Sequence, residues 1–540
     1  MRAGFAFALA AIGFCTVSGI PAVGQQAPEA APAGDRPGFG PMIAGDQPAR
    51  PKDAGIMATA IADLNGDGMD ELIVALGHYP PQTNRKEGLL VLSPDAGSAM
   101  RERTTDFLAA PPSFVHPRSI QVKDLNRDGR EDVFIAAHGY DKDPFPGERN
   151  ALLLSTAGKH VNARGVPKYS DFSHGAALGD VNGDRFGDVY VSNGHGKSPK
   201  SRPYMLLGRA GNKVAVSRQL SADVLGPDTY YSSAALADLD GDGRDDLILG
   251  SNGTGAKDEL QRNVVYLNQG RRKIFRSSAP DIVLPWGRYG GGTNTVDIRP
   301  VDINRDGLTD ILMAQHDNVP TFHGYGIQLL INRGNGRFRD ETKTRLGGTI
   351  RDPKGQFLNH LMPADFFGDG HPDLVTYGSA GDRVAPLVYV NDGTGHFARY
   401  DRSLFMAPSD EGYYHGQALP ADVDGDGLSD IVNVSFGPGD AFEVQTFLNT
   451  GPVGPQVAPA IVQQPRRVKA KRKAAIRLSV AARGSRPLSY QWTRDGSPVP
   501  SDGSVLTIRR AGKADAGLYK VTVTNAAGAV TSRQVRVVVR

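Results

Sequence analysis

The sequence has one cysteine, Cys15, inside an N-terminal apolar run. Beyond that run there is no thiol for a disulfide, a thiolate metal site or a cysteine nucleophile. Long apolar stretches are as scarce, and past the N-terminus none approaches the ~20 residues that span a bilayer. Charge of one sign is also missing. Lys and Arg number 61 against 58 Asp and Glu, a net +3, which lacks the basic excess that marks nucleic-acid binding. No sustained 3.6-residue apolar period is present, which argues against a helical solenoid. Glycine (66) and proline (37) are plentiful instead, together roughly a fifth of the chain against a typical ~12 %. That composition favours many short strands and turns, and 540 residues exceed one ordinary core.

Arg2 followed by AGFAFALAAIGFCTVSGI and PAVGQQ has the form of an export signal, with Ala22 and Gly24 placed for cleavage after Gly24. The expected product is secreted, periplasmic or held at the cell surface, with no membrane span in the mature chain. A domain exported without disulfides needs another staple, and bound metal can serve.

One acidic loop occurs seven times: DLNGDGMDE from Asp63, DLNRDGRED from Asp124, DVNGDRFGD from Asp180, DLDGDGRDD from Asp238, DINRDGLTD from Asp302, DFFGDGHPD from Asp365 and DVDGDGLSD from Asp422. A fixed spacing near 60 residues marks a repeat architecture. Oxygens at loop positions 1, 3 and 5, the backbone carbonyl of position 7 and an acid at position 9 can surround Ca2+, with glycine at position 6 for the bend. The implied ligands are Asp63, Asn65, Asp67, Met69 and Glu71 in the first loop; Asp124, Asn126, Asp128, Arg130 and Asp132 in the second; Asp180, Asn182, Asp184, Phe186 and Asp188 in the third. They continue with Asp238, Asp240, Asp242, Arg244 and Asp246 in the fourth, and Asp302, Asn304, Asp306, Leu308 and Asp310 in the fifth. The sixth offers only Asp365, Asp369 and Asp373, because Phe367 replaces the position-3 oxygen, and the seventh has Asp422, Asp424, Asp426, Leu428 and Asp430. About six well-formed Ca2+ sites are therefore expected, the sixth loop being degenerate. In the third loop Arg185 stands at the glycine position and Gly187 two residues on, so a different turn is expected there.

An EF-hand would place a bidentate Glu at position 12 between helices. Position 12 here is Val74, Ile135, Val191, Leu249, Met313, Thr376 or Asn433, in β-rich surroundings. Each loop should therefore join two strands and close at position 9, as a rigid staple more than a sensor or switch.

Each period carries a second signal. VVYLNQGRRKIF (264–275), LLINRGNGRFRD (329–340) and VYVNDGTGHFARY (388–400) read as strand, Asn-x-Gly turn and strand, with Asn and Gly accepting the positive φ of a tight hairpin. Two hairpins per period make a four-stranded unit, and seven such units suit a β-propeller. The loops and their following apolar strands resemble the FG-GAP or VCBS repeat. The resemblance covers about residues 53–455 and implies a seven-bladed, integrin α-like propeller, calcium on one face and ligand contacts on the other.

Residues 1–24 are expected as the signal, 25–52 as a Pro/Ala-rich segment, 53–455 as the propeller and 456–475 as a basic linker or first strand. Residues 476–540 resemble an immunoglobulin-like sandwich of the I-set type. That resemblance implies Trp492 as the core tryptophan and Tyr519 as the corner tyrosine, with Val480 and Val521 at the family's disulfide positions. The whole is an all-β chain: a seven-bladed propeller followed by an Ig-like sandwich. The basic cluster Arg466 to Lys473 reads chiefly as a solvated edge, with an anionic polymer as the other possibility.

Enzyme signatures are thin. GKS at 196–198 lacks the glycine a phosphate loop needs, since Val191 stands there, and neither H-E-x-x-H nor G-x-S-x-G occurs. Histidine placement says more. His78, His138, His195 and His316 follow the strand that leaves a loop, with Asn252 at the equivalent place, while His116, His174, His360 and His415 precede a loop. A hairpin brings its outer ends together, so these groups should gather opposite the calcium loops, joined by aromatics including Tyr231, Tyr289 and Trp286. Such a face suits recognition of an extracellular glycan or protein by a monomeric binding or adhesion protein. The same face could serve a polysaccharide lyase or hydrolase, and packing between blades is the plain alternative for any single histidine.

Overall fold

The computed structural model describes residues 36–540 except 49–53, 79–84, 141–145, 157, 194–202, 218–230, 253–261, 271–273, 276–278, 289–292, 319–320, 347–350, 353–359, 378–386, 401–403, 405–416, 437–441, 454–456, 485–487, 501–502 and 509. The expected signal at 1–24 lies outside the described residues. No helix among them is long and apolar enough to cross a membrane.

The described chain is almost entirely β. Seven antiparallel sheets of four or five strands each hold one acidic loop, always between the first and second strands. These strand pairs are Gly55–Ala62 with Glu71–Gly77, Pro117–Lys123 with Asp132–Ala137, Ser173–Gly179 with Asp188–Asn193, and Tyr231–Ala237 with Asp246–Ser251. Thr293–Val301 with Asp310–Asn318, His360–Ala364 with Asp373–Tyr377, and Gln417–Ala421 with Asp430–Phe436 complete the set. We number sheets and loops 1 to 7 in this order. The position-9 acid opens the second strand in every copy.

Neighbouring sheets pack in chain order, first strand against first strand, and the first strand of sheet 7 also touches that of sheet 1. One apolar cluster joins them, with Ile56, Leu72 and Val74 of sheet 1 against Leu419, Val432 and Phe442 of sheet 7. The second strands of sheets 1 to 4 are buried along their whole length, as in Glu71–Gly77, because they lie between neighbouring sheets on both faces; this explains runs such as ELIVAL that do not alternate. Sheet 7 takes its outer strand from the N-terminal side: Ile43–Ala44 pairs with Phe442–Phe447, and Arg36–Phe39 pairs with Asn449–Val453. Residues in the Pro/Ala-rich segment thus belong to the last sheet.

The Asn-x-Gly stretches form hairpins, but with a different division of labour from the one expected. Positive φ falls on Gly270, on Gly334, Asn335 and Gly336, and on Gly393 and Gly395. Asn332 and Asn391 instead end regular strands, and their side chains have another task described below.

The C-terminal sandwich has a core of Ile476, Leu478, Trp492, Leu506, Tyr519, Val521 and Val537. Trp492 is fully buried and donates from Nε1 to the Gly503 carbonyl at 3.0 Å. Tyr519 donates its hydroxyl hydrogen to the Asp515 carbonyl at 2.8 Å, the corner contact implied by the resemblance. Val480 and Val521 both lie in this core, where apolar packing takes the place of a disulfide. The segment 456–475 contributes strands to the sandwich: Ala460–Gln463 pairs with Ala481–Arg483, and Val468–Ala470 runs parallel to Val535–Val539.

Candidate metal centres and ligand face

The loops are built from Asx turns in series. In loop 1 Asp63 accepts the amides of Gly66 (2.6 Å) and Gly68 (3.0 Å), Asn65 accepts that of Asp67 (2.7 Å), and Asp67 accepts that of Met69 (2.9 Å). The same ladder recurs in loops 4 and 7, from Asp238 and Asp422. Two left-handed residues shape each loop, at positions 4 and 6: Gly66 (φ 78°) and Gly68 (φ 86°) in loop 1.

Loop 3 corrects an expectation. Arg185 adopts φ 77° and donates its amide to Asp180 Oδ2 at 3.0 Å, so the turn is the same as in the other copies. The strain of a non-glycine residue at positive φ is tolerated here. Gly187 serves a different purpose: its amide donates to the Leu125 carbonyl at 2.6 Å, and a Cβ there would lie 2.2 Å from a Leu125 methyl.

The position-9 acids are buried struts. Glu71, Asp132, Asp188, Asp246, Asp310, Asp373 and Asp430 are all at most 1 % exposed. One oxygen accepts the amide of position 2, as from Leu239 to Asp246 (3.0 Å), and the other reaches the third strand, as from the Asn268 amide (2.8 Å). Burial pushes Glu71 and Asp310 up to about 8 and Asp188, Asp246 and Asp430 up to about 7. Loop carboxylates at positions 1, 3 or 5 add to the rise in each of them. A divalent cation would relieve that repulsion, and the oxygen-only donor set suits a hard ion. Oxygens of Asp238, Asp240 and Asp246 already lie within 4.8 Å of one another, as do those of Asp422, Asp424 and Asp426. In loop 6 Phe367 is buried in the core, so position 3 offers no oxygen, although Asp365 still caps Gly370 (2.7 Å).

Two sets of residues escaped the sequence reading. Position 8 links loop to loop: Glu131 donates its amide to the Asp63 carbonyl (3.0 Å), Asp245 accepts the Asp180 amide (3.0 Å), and Ser429 Oγ accepts the Asp365 amide (2.8 Å). The hairpin asparagines Asn268, Asn332, Asn391 and Asn449 donate from Nδ2 to a position-2 carbonyl in the neighbouring loop, at 2.7, 2.8, 3.0 and 2.9 Å. Each also donates to the position-8 carbonyl of its own loop. The Y-L-N-Q-G and L-I-N-R-G repeats were visible as a pattern, but their reach across sheets was not.

At the other ends of the strands, part of the expected ligand face assembles. The His138 ring lies 4.1 Å from that of His116, 5.1 Å from that of His174 and 4.6 Å from that of Phe172. The buried Glu148 accepts the His116 amide at 3.1 Å and an ammonium contact from Lys86 at 2.9 Å. Nearby, Asn150 donates to Ser173 Oγ (2.8 Å) and Tyr204 Oη (3.0 Å), and Ser173 donates to Asn193 Oδ1 (2.6 Å). Burial drives His138 down to about 3 and His316 to about 4, and both feel the positive charge of Arg118. His116 is lowered by burial and by His138. These imidazoles are neutral at pH 7.

Other expected members stand apart. His78 pairs with Glu87 at 2.6 Å, and His360 Nδ1 lies 3.3 Å from Asp297 Oδ2. Tyr231 and Asn252 are buried in sheet 4 and at its end. Trp286 is exposed, with Arg262 stacked 4.4 Å over its ring. His195, Tyr289 and His415 lie outside the described residues.

Residues 238–313, 302–376 and 365–432 match the FG-GAP-like repeat, each span opening on the first Asp of a loop, and residues 459–539 match the immunoglobulin I-set domain. The chain carries FG-GAP-like repeats and an I-set domain. Loops 1 to 3 lie outside the matched spans yet have the same hydrogen-bonded form as the FG-GAP-like ones. Over 218 residues the chain is 28 % identical to "Integrin alpha pat-2" of Caenorhabditis briggsae, covering 36 % of this chain and 17 % of that protein. It is 52 % identical over 54 residues to the "Decoration protein" of Escherichia phage T5, 10 % of this chain and 33 % of that one. A solved titin M10–obscurin-like 1 Ig complex is similar at 26 % identity, covering 16 % of this chain and 96 % of that chain, with a TM-score of 0.15. The chain therefore spans a third or less of the curated relatives named here.

Proposed function

We propose that this is an extracellular, calcium-stabilised binding or adhesion protein. Its seven sheets close into a seven-bladed propeller, and Ca2+ occupies the acidic loops, least readily the sixth. The observation that carries the reading is the division of the sheets: acidic loops at one end, the His116–His138–His174–Phe172 stack at the other. The integrin α-like match of the repeats supports a binding role, and the export-like N-terminus supports an extracellular site of action. His174, the half-buried member of the stack, can stack on a sugar or a partner side chain, backed by the buried rings of His116, His138 and Phe172. The stack suits acid–base catalysis less, because burial holds the His116 and His138 imidazoles well below the usual range, which favours binding over a lyase or hydrolase.

The test is a screen of the purified chain against glycan and protein arrays, with and without Ca2+. We expect a calcium-dependent ligand whose binding is lost in His174→Ala while the melting temperature is kept. An array with no such ligand would refute the binding reading. Unsaturated or reducing ends released from a polysaccharide panel would establish the enzyme reading in its place.

A further inference from the structure

Loops 5 and 6 differ from the others in what lies against them. In loops 2 and 4 position 7 is arginine, and its guanidinium rests on the position-5 carboxylate: Arg130 Nη2 lies 3.3 Å from Asp128 Oδ2, and Arg244 pairs with Asp242. Loop 5 has Leu308 there, and the guanidinium on its position-5 acid comes from the immunoglobulin-like domain. Arg477 Nη2 lies 3.2 Å from Asp306 Oδ1.

Arg477 belongs to strand Ile476–Ser479, whose partner Val505–Ile508 brings Thr507 to the same loop. A Cβ on Gly307 would lie 3.5 Å from Thr507 Oγ1. Arg305 of loop 5 donates from Nη1 to the Asp369 carbonyl of loop 6 at 2.8 Å, and the same nitrogen lies 3.0 Å from where a Cβ on Gly503 would stand. His371, at position 7 of loop 6, lies 6.5 Å from the Tyr490 ring. The side chains of Asp369 and His371 are each 1 % exposed, whereas the position-5 counterparts of Asp369, namely Asp128, Asp242 and Asp306, are 29, 27 and 24 % exposed. The loop that lost its position-3 oxygen is thus also the one whose position-5 and position-7 side chains are shut away from water.

The connection between the two parts is short. Val453 ends the last strand of the repeats and Ala460 opens the first of the sandwich, and Asn525 Nδ2 holds the Val457 carbonyl at 2.8 Å. So little free chain keeps the domain at high local concentration beside the loops.

We propose that loops 5 and 6 are the docking seat of the immunoglobulin-like domain, clasped by Arg477 on Asp306 and by the Arg305–Gly503 and His371–Tyr490 contacts. The domain is then a fixed arm on the loop side, and loop 6 serves this interface in place of a cation. This stands whether or not the histidine face binds a ligand.

Cross-linking of the full chain tests the seat. With Cys15→Ser removing the one native thiol, Gly307→Cys with Thr507→Cys should form a disulfide under mild oxidation, and the control pair Gly243→Cys with Thr507→Cys should not. Equal cross-linking of both pairs would overturn the proposal. Because a change at Gly307 can disturb loop 5, small-angle scattering gives a second measure. The wild-type chain should fit one compact arrangement, and Arg477→Glu should increase its maximum dimension. A wild type that already fits only as an ensemble of detached domains, or an unchanged dimension in Arg477→Glu, would refute it.

Discussion

Asp70 and Asp422 are 352 residues apart in sequence and hold each other by a reciprocal pair of hydrogen bonds. The Asp70 amide donates to the Asp422 carbonyl at 2.7 Å, and the Asp422 amide donates to Asp70 Oδ2 at 2.8 Å. Loop 1 is thereby tied to loop 7, by the device that ties loop 7 to loop 6 through Ser429 and Asp365. Burial, with the charges of Asp422 and Asp63 adding to it, pushes Asp70 up to about 6. Replacing Asp70 by Ala leaves the partly buried Asp422 amide without its acceptor, a loss of about 1–3 kcal/mol. Asp70→Asn keeps an acceptor oxygen and should cost much less. Urea melts of the two variants check this, and equal stabilities would show that the bond is not what matters.

Chelation should lower the melting temperature markedly. One site held at 100 times its dissociation constant adds about 2.7 kcal/mol, and several loops act together. Calorimetry with and without EGTA measures the fall, and coincident melts would refute a structural role for calcium.

Proton competition at position 9 predicts a pH dependence with opposite signs in the two states. Glu71 and Asp310 are raised to about 8, and Asp188, Asp246 and Asp430 to about 7, against about 4 in an unfolded chain. Without calcium the folded state therefore holds more protons. Its stability from these groups is full below pH 4 and is lost as pH rises through 7 to 8. Calcium affinity should run the other way and weaken as pH falls from 8 to 6, with protons released on binding. Titration calorimetry in buffers of different ionisation enthalpy would detect the release, and a pH-independent affinity would contradict the assignment.

Asp297 offers the contrary case. Although burial alone would raise it, Arg299 and His360 hold it at about 2, and its Oδ2 also accepts the Leu361 amide at 3.1 Å. Its contribution is present above pH 4 and is lost as pH falls toward 2. Asp297→Ala should destabilise the seam between sheets 5 and 6 at pH 7, and the deficit should shrink in acid. A deficit constant across that range would mean the charge is not its source.

In the sandwich, Trp492→Ala should cost about 3–5 kcal/mol and lower only the transition of the immunoglobulin-like domain. Differential scanning calorimetry can separate that transition from the one that depends on calcium. A uniform shift of both would mean that the two parts unfold as one unit.

What was legible in the sequence was local. Nine residues fix the alternation of oxygen-bearing positions from Asp63, why glycine suits the bend at position 6, and that the loop closes at Glu71 between two strands, because backbone geometry over that span leaves little choice. The same reasoning correctly placed the loops between strands and the Trp492 core in the C-terminal domain. It failed where a local rule had a second solution: Arg185 accepts positive φ because Asp180 holds its amide, and Asn332 spends its side chain across sheets while glycine makes the turn. What tertiary structure alone decided was partnership between distant segments. Spacing places His116, His138, His174 and His316 at strand ends, but only the packing of sheet on sheet stacks three of them and leaves His78 to Glu87. Position 8 and Arg477 carry no local signature either. Their bonds run between chain segments brought together by the burial of apolar strands, and burial of that kind sets neighbours without regard to sequence distance.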